Sequence, residues 1–265
     1  MNPLVYAHRG GAALAPENTI AAFDRGMAEG ADGLEFDVRL SRDGVPVVHH
    51  DPTVERTTNG RGPVSALTAD ELARLDAGGH FVLDGAFPFR GQGIGVPRLE
   101  EVVRRYPDAR LIVEMKDDTA DLAEAVVRVL SKADALDRTE VASFHVRPVI
   151  AARRAGDGVR TGASHPEVRG ALYGSWCGLS PRKPAYHGFQ IPEKAGRLRI
   201  ITPRFVRCVS RAGLSVNVWT VNEEADMRRL LDWGVTGLIT DRPDVAVPLV
   251  RLQTPDSRLQ GTPGT

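Results

Sequence analysis

Short apolar stretches alternate with segments of helical periodicity along most of the chain. The apolar stretches have the length and composition of buried strands, whereas the segments between them place apolar residues three and four positions apart. Regular alternation of strand and helix predicts βαβ units and a parallel sheet. The predicted strands are Leu4–His8, Leu34–Leu40, Leu111–Lys116, Glu140–Phe144, Arg160–Ser164, Gly188–Ile191, Ser215–Val221 and Gly237–Thr240.

Eight strand–helix units in a chain of this length favour an α/β fold of the (β/α)8 barrel type. A doubly wound open sheet is the alternative. No GxGxxG motif follows a predicted strand and opens a helix, so a dinucleotide-binding version of that fold has little support.

Several helix starts carry recognisable capping signals. Thr19 precedes a face formed by Ile20, Phe23 and Met27, and Thr68 with Glu71 matches a capping box. Either Asp118 or Thr119 is suited to cap the helix that follows the third strand. Further helices are predicted near 99–106, 147–155, 202–212 and 223–233, whereas no element is predicted for 165–187.

Two segments depart from the alternating pattern. Residues 53–97 are rich in Gly, Pro and Arg, which predicts a small insertion after the second barrel strand. Residues 252–265 are polar with Gly and Pro, and we expect a flexible C-terminal tail there. Residues 1–251 are therefore predicted to form a single barrel domain that contains the insertion.

Composition narrows the class of protein. The 265 residues include 34 Lys and Arg against 34 Asp and Glu, which does not indicate nucleic acid or an anionic membrane as an obligate partner. No apolar run approaches the roughly 20 residues of a membrane-spanning helix, and no secretory signal is apparent at the N-terminus. The two cysteines, Cys177 and Cys208, suit a reducing compartment, so a cytoplasmic location is predicted.

Polar residues gather where the first strands end. Residues His8 and Arg9 close the first strand, whereas Glu35 and Asp37 alternate with apolar residues on the second. The third strand ends with Glu114 and Lys116, and His50 follows a short extended piece after the second strand. Active sites of (β/α)8 barrels lie at the carboxyl ends of the strands, so these side chains are expected to converge there.

The three carboxylates indicate a metal site. Glu35 and Asp37 point to one face of a strand, and Glu114 lies on the next barrel strand. Hard oxygen donors without cysteine suit Mg²⁺ or Ca²⁺. On an exposed strand, alternating acidic residues would simply face water. In a buried barrel strand, an unpaired carboxylate would cost folding free energy.

The cations and histidines near this site indicate phosphate chemistry. Arg9 and Lys116 can bind a phosphate, or can pair with the neighbouring acids. His8 and His50 are the natural acid and base, because imidazole titrates near neutral pH. His49 is expected to point away from His50, and Gly10–Gly11 to form a turn that leaves room for a substrate.

Seven short motifs follow one another along residues 5–244. They are Ala7-His8-Arg9-Gly10, Pro16-Glu17-Asn18-Thr19, residues 30–38, residues 43–51, Glu114-Met115-Lys116, residues 218–222 and residues 237–243. Each motif is weak alone, but their shared order along the chain is specific. In these motifs and their order the chain resembles the glycerophosphodiester phosphodiesterases.

The resemblance implies metal-dependent hydrolysis of a glycerophosphodiester to sn-glycerol 3-phosphate and an alcohol by a catalytic (β/α)8 barrel. It implies a divalent cation on Glu35, Asp37 and Glu114 and an acid/base pair of His8 and His50. It also implies that Arg9 and Lys116 bind the phosphate. Trp219 is typical of the family and is predicted either to line the substrate mouth or to pack in the core, and Glu17 to organise the loop after the first strand.

Two other functions remain open from the sequence. A lysophospholipase D-like activity on the same barrel would need an apolar mouth, which Phe81, Phe87 and Phe89 could supply, although packing within the insertion is the favoured interpretation for them. A non-catalytic barrel that binds glycerophosphodiesters would be expected to lack a histidine or a metal carboxylate, and this chain has all five.

Overall fold

The computed structural model describes residues 2–196 and 198–253, and every statement about structure below concerns these residues. Eleven strands occur within them. They are β1 (Leu4–His8), β2 (Gly33–Leu40), β3 (Pro46–Val48), β4 (Arg110–Met115), β5 (Thr139–Ala142), β6 (Arg160–Thr161), β7 (Gly188–Pro192), β8 (Lys194–Ala195), β9 (Leu198–Arg199), β10 (Ser215–Trp219) and β11 (Gly237–Thr240).

Nine α-helices occur in the same described part of the chain. They are α1 (Ile20–Ala28), α2 (Ala69–Ala73), α3 (Leu99–Arg105), α4 (Ala120–Lys132), α5 (Val146–Ala155), α6 (His165–Trp176), α7 (Pro203–Ser210), α8 (Glu224–Asp232) and α9 (Pro243–Gln253), and a 3₁₀ turn spans Val64–Ala66. None of the helices within 2–196 and 198–253 combines the length and the apolar character needed to cross a bilayer.

Eight of the strands form a parallel barrel. Their order is β6–β5–β4–β2–β1–β11–β10–β7, and a parallel bridge between Gly162 and Gly188 joins the two ends. All eight predicted barrel strands are present, so the predicted (β/α)8 architecture is confirmed and the open sheet is wrong. Helices follow the strands on the outside, where their apolar faces cover the barrel in two large clusters.

The capping signals behave as their chemistry predicts. The side chain of Thr19 accepts a hydrogen bond from the backbone of Ala22 at 3.2 Å, and Thr119 rather than Asp118 caps α4. The region 165–187, for which no element was predicted, contains α6. That helix begins with a capping box formed by Ser164 and Glu167, and the sequence displays this signal. The helix was not predicted because its apolar residues show only a weak helical period.

The segment after the second barrel strand packs on itself and on the barrel. Strand β3 pairs antiparallel with β2, and residues 53–97 carry α2 and a small apolar cluster centred on Val54, Val64 and Leu72. That residues 53–97 form a separate small subdomain stays a prediction. Helix α9 extends through Gln253, two residues into the segment 252–265. The flexible tail stays a prediction, because the rest of that segment lies outside the described residues.

Candidate active site

Strand register brings the predicted site residues together at the carboxyl end of the barrel. In the parallel pairing of β1 with β2, His8 lies opposite Glu35, and in the pairing of β2 with β4, Asp37 lies opposite Glu114. Lys116 follows β4 directly. Residues that are far apart in sequence therefore occupy adjacent positions on neighbouring strands.

The three predicted metal ligands form one compact group. Glu35, Asp37 and Glu114 each offer a carboxylate oxygen, and these oxygens lie within 4.8 Å of one another. Burial raises the pKa of Glu35 to about 7 and also raises the pKa of Glu114. Three clustered carboxylates supply the oxygen donors that a hard divalent ion prefers, so the donor set fits such an ion.

Two cations from the protein flank Asp37, the most buried of the three. Arg9 Nε lies 3.1 Å from one oxygen of Asp37, and Lys116 Nζ lies 2.9 Å from the other and 2.6 Å from Glu114 Oε1. Burial by itself would raise the pKa of Asp37, but Lys116 and Arg9 together lower it. Asn18, which sequence analysis gave no role, donates to Asp37 Oδ2 at 2.9 Å.

The backbone around Arg9 is unusual. Arg9 has φ of 50° and Asn18 has φ of 58°, both in the left-handed region that residues with a β-carbon rarely adopt. Glu17 accepts from Arg9 Nη1 at 2.9 Å and also pairs with Arg56, in agreement with its predicted role in organising the loop after β1. Nη1 of Arg9 thus donates to Glu17, whereas Nε lies 3.1 Å from Asp37 and makes no hydrogen bond.

Each predicted acid/base histidine is held by a carboxylate. His8 Nδ1 lies 2.6 Å from Asp241 Oδ1, and His50 Nδ1 lies 2.6 Å from Asp51 Oδ1. Burial lowers the pKa of His50, whereas for His8 Asp241 and Glu35 outweigh burial and raise it. Because Nδ1 is occupied in both residues, Nε2 is the nitrogen available to a substrate.

Neither of these two carboxylates was among the site residues predicted from the sequence. Asp51 directly follows His50, and Asp241 follows the last barrel strand within a stretch that carries the family resemblance. A second carboxylate oxygen of Asp241 accepts from Asn222 Nδ2 at 2.7 Å. Asp51 could have been found from the sequence, because it stands next to His50. Asp241 could not, because it reaches His8 only when the barrel closes.

A cleft of about 1030 Å³ opens at this end of the barrel. Of the predicted site residues, all except Asp37 line it: His8, Arg9, Glu35, His50, Glu114, Lys116 and Trp219. Asp37 is 1% exposed and lies behind its cation partners. The Trp219 ring borders the cleft and stands edge-on to Phe144 with centroids 5.6 Å apart. It is partly buried and also packs against the apolar cluster of Tyr6, Ile112 and Ile239, so both predicted placements apply in part.

Gly10 and Gly11, next to the site, allow close packing of helices against the turn after β1. A β-carbon on Gly10 would lie 2.6 Å from the backbone of Ala22 in α1, and one on Gly11 would lie 3.2 Å from Pro243. The space beside them is therefore filled by the protein's own helices. The expectation that this turn leaves room for a substrate is wrong.

The aromatic residues of the insertion do not border the cleft. The rings of Phe81 and Phe89 pack edge to face at 5.5 Å, and the guanidinium of Arg90 lies 3.6 Å above the ring of Phe87. The packing interpretation thus agrees with the contacts of Phe81 and Phe89, whereas Phe87 is 42% exposed. His49 also packs away from the site, with Nε2 at 3.0 Å from the carbonyl of Thr53.

The chain matches a known family over most of its length. Residues 8–245 fit the model of the glycerophosphoryl diester phosphodiesterase family. A glycerophosphodiester phosphodiesterase of Caldanaerobacter subterraneus is 36% identical over 264 residues, covering 95% of this chain and 99% of the relative. One from Bacillus subtilis is 32% identical over 255 residues, covering 91% of this chain and 84% of the relative.

Solved structures share the architecture. The glycerophosphoryl diester phosphodiesterase domain of a Mycobacterium tuberculosis protein matches with a TM-score of 0.82 and 26% identity, covering 94% of this chain and 99% of that domain. A phosphodiesterase from Oleispira antarctica, solved in complex with the product sn-glycerol-3-phosphate, matches with a TM-score of 0.74 and 25% identity over 94% of this chain and 97% of its own.

Proposed function

We propose that this chain, which belongs to the glycerophosphoryl diester phosphodiesterase family, hydrolyses glycerophosphodiesters to sn-glycerol 3-phosphate and an alcohol. The observation that carries the proposal is the cleft in which two carboxylate-held histidines, three clustered carboxylates and two cations meet. A relative named as a glycerophosphodiester phosphodiesterase aligns with 95% of the chain, and one structural neighbour was solved with the product sn-glycerol-3-phosphate.

A divalent cation, Mg²⁺ or Ca²⁺, is the proposed cofactor. Glu35, Asp37 and Glu114 would hold it, because their oxygens cluster within 4.8 Å and supply the hard donors that these ions prefer. When bound, such an ion acts as a Lewis acid that withdraws charge from the phosphoryl oxygens. Lys116, which pairs with Asp37 and Glu114, would then be free to share its charge with the substrate.

The protein's own cations would bind the phosphate. Arg9 and Lys116 both line the cleft and approach different oxygens of Asp37, with Arg9 Nε at 3.1 Å and Lys116 Nζ at 2.9 Å. Fixed positive charge in a partly closed cleft stabilises negative charge that grows on the phosphoryl oxygens in the transition state. Trp219, which lines the same cleft, would form one of its walls beside the substrate.

The two histidines would move the protons. One Nε2 accepts the proton of the attacking hydroxyl, which belongs either to water or to the glycerol 2-hydroxyl. The phosphorus–oxygen bond to the alcohol then breaks, and the second Nε2 donates a proton to the leaving alkoxide. Attack by water yields the products directly, whereas attack by the glycerol 2-hydroxyl yields a cyclic phosphate that water then opens.

An assay of a panel of glycerophosphodiesters tests the proposal. Glycerophosphocholine, glycerophosphoethanolamine and glycerophosphoglycerol are each incubated with Mg²⁺, Ca²⁺ or Mn²⁺, with a chelator as control. We expect metal-dependent release of sn-glycerol 3-phosphate, with a loss of about 10²-fold or more in His8→Ala and in His50→Ala. Near-normal turnover in either variant would refute its assignment, and binding without turnover would identify a non-catalytic barrel.

The cellular setting is also a proposal. The two cysteines are both free, which suits a reducing compartment, and we infer a cytoplasmic location from this composition. A small-molecule substrate is the expected partner, and the balanced charge supports no obligate association with nucleic acid or membranes. Fractionation of cells that express the tagged full chain would test the location directly.

A further inference from the structure

Arg56, in the insertion after the second barrel strand, joins two of the loops that carry the site. Its Nη1 and Nη2 each donate to one carboxylate oxygen of Glu17 at 2.8 Å, and its Nε donates to Asp51 Oδ2. Glu17 belongs to the loop after β1, whereas Asp51 belongs to the loop after β3. One guanidinium therefore binds carboxylates from two separate loops.

Each of these carboxylates also holds one of the proposed catalytic groups. Asp51 Oδ1 lies 2.6 Å from His50 Nδ1, and Glu17 Oε1 accepts from Arg9 Nη1 at 2.9 Å. Arg56 is thus a single carboxylate away from a proposed acid/base group and, in the other direction, from a proposed phosphate ligand.

Arg56 itself is not placed to bind the substrate. It does not line the cleft, and its side chain is 48% exposed. All three nitrogens of its guanidinium already donate to carboxylates. Any effect of Arg56 on the reaction therefore passes through Asp51 and Glu17.

Arg56 keeps both carboxylates ionised and fixes the plane of each. Burial would raise the pKa of Glu17, but Arg56 and Arg9 lower it. Burial would likewise raise the pKa of Asp51, but Arg56 and His50 lower it. Both oxygens of each carboxylate are engaged, so neither carboxylate can turn without breaking a charge-assisted hydrogen bond.

The backbone beneath Arg56 is firmly anchored. The carbonyl of Val54 accepts from the backbone N of Thr58 at 3.1 Å and from its Oγ1 at 2.8 Å, in the turn that carries Arg56. Val54 is fully buried in the apolar cluster of the insertion, and Thr58 is also buried. A guanidinium on such a turn holds the two loops in a fixed relation.

The loop after β1 needs a restraint of this kind. Arg9 and Asn18 have φ of 50° and 58°, and residues with a β-carbon keep such conformations only where surrounding contacts hold them. Glu17 directly precedes Asn18. Its two hydrogen bonds to Arg56 supply part of that restraint.

We propose that Arg56 is a positioning residue of this site, which holds His50 through Asp51 and Arg9 through Glu17. The inference rests on the proposed function, in which His50 moves a proton and Arg9 binds the phosphate. It gives the insertion a part in catalysis without any contact to the substrate. Loss of Arg56 should impair catalysis far more than folding, because exposed ion pairs add little stability.

The experiment measures kcat/KM of Arg56→Gln on a panel of glycerophosphodiesters, with Mg²⁺, Ca²⁺ or Mn²⁺ supplied. We expect a loss of about 10- to 100-fold relative to the parent protein, because small displacements of catalytic groups are costly. Arg61→Gln is the matched control, a change at another exposed arginine of the insertion, and should leave kcat/KM unchanged. Melting curves show that each variant is folded.

A double-mutant cycle tests whether Arg56 acts through its two carboxylates. In a chain that already carries Glu17→Gln and Asp51→Asn, the change Arg56→Gln has no ion pair left to break. We expect it to alter kcat/KM there by less than about twofold. A general loosening of the fold would act in this background as well, so persistence of the full loss would overturn the inference.

Arg56→Lys separates geometry from charge. Lysine keeps the positive charge but lacks the planar fork that spans two carboxylates, so we expect a loss of about tenfold or more in kcat/KM. Parent-level activity in Arg56→Lys or in Arg56→Gln would overturn the inference while the proposed function stands. If the parent protein hydrolyses no member of the panel with any of the metals, the proposed function fails and the inference fails with it.

Discussion

The imidazole of His8 and the carboxylate of Asp241 meet at 2.6 Å between Nδ1 and Oδ1. The two residues end the first and follow the last strand of the barrel, and the parallel pairing of Ala7 with Thr240 places them side by side. A carboxylate on Nδ1 fixes the tautomer with its proton there and turns Nε2 toward the cleft. Barrel closure thus orients one of the two proposed acid/base groups.

Replacement of Asp241 by Asn should impair catalysis more than stability. An amide can donate to Nδ1, which favours the tautomer with the proton on Nε2 and removes the base from the cleft. We expect kcat to fall by about 10²-fold or more, with KM changed far less. ¹⁵N NMR of the His8 ring should show the change of tautomer directly.

Asp244→Asn is the control for that variant. Asp244 lies in the first turn of α9, the helix that begins just after Asp241, and pairs with Arg242 outside the cleft. Its replacement should leave kcat unchanged. A loss of kcat in Asp241→Asn without any tautomer change in His8 would show that Asp241 does not act through the imidazole.

Removal of the divalent cation should abolish turnover. We expect a chelator to lower activity by about 10²-fold or more, with recovery on adding back Mg²⁺, Ca²⁺ or Mn²⁺, because a Lewis acid contributes several kcal/mol at such a site. Glu114→Gln should weaken metal binding in isothermal titration calorimetry, since one of three clustered carboxylates is lost. Asp121→Asn, an exposed change on α4, is the control. Unaltered metal affinity in Glu114→Gln would contradict the ligand assignment.

Gly10→Ala should destabilise the fold severely. Gly10 has φ of 89°, and a β-carbon there would lie 2.6 Å from the backbone of α1. Gly44, with φ of 74° and open space around it, is the matched control, and Gly44→Ala should cost only about 1–2 kcal/mol of unfolding free energy.

In Gly10→Ala, the clash of the new β-carbon with α1 should lower the unfolding free energy by about 1–3 kcal/mol more, measured by urea denaturation. Equal losses in the two variants would show that the helix moves away without penalty.

The Glu167–Arg153 pair should make stability depend on pH. Arg153 Nη1 and Nη2 lie 2.8 Å and 3.0 Å from the two carboxylate oxygens of Glu167, which also accepts from the backbone of Ser164 at 2.7 Å. Burial alone would raise the pKa of Glu167, but Arg153 and Ser164 together lower it. The stabilisation is therefore present above the unfolded pKa of about 4.3 and is lost as pH falls through the lower folded pKa.

We expect Glu167→Gln to lower the unfolding free energy by about 1–2 kcal/mol at pH 7. The gap between this variant and the parent protein should close on acidification below pH 4. Melting curves between pH 7 and pH 3 check this, with Glu124→Gln, an exposed change on α4, as control. A gap that stays constant with pH would exclude the ionised pair as its source.

The local order of the chain already determined much of this protein. The alternation of apolar strands with amphipathic helices was enough to predict a (β/α)8 barrel. The strand pattern and the helix pattern each match the period of only one type of backbone. The motif residues His8, Glu35, Asp37, His50 and Glu114 were identifiable because their residue types suit metal and proton chemistry and because they end predicted strands. The capping box at Ser164 was visible but lay in a segment without a clear apolar period.

Tertiary structure decided which residues act on one another. Asp241 reaches His8 only when the last strand pairs with the first, and Asn18 reaches Asp37 only through the left-handed turn after β1. The cleft likewise brings together Phe144, Tyr173 and Leu198, which no short motif connects. Local sequence sets backbone periodicity and chemical type, whereas contacts between distant segments depend on barrel closure and register, which no single stretch encodes.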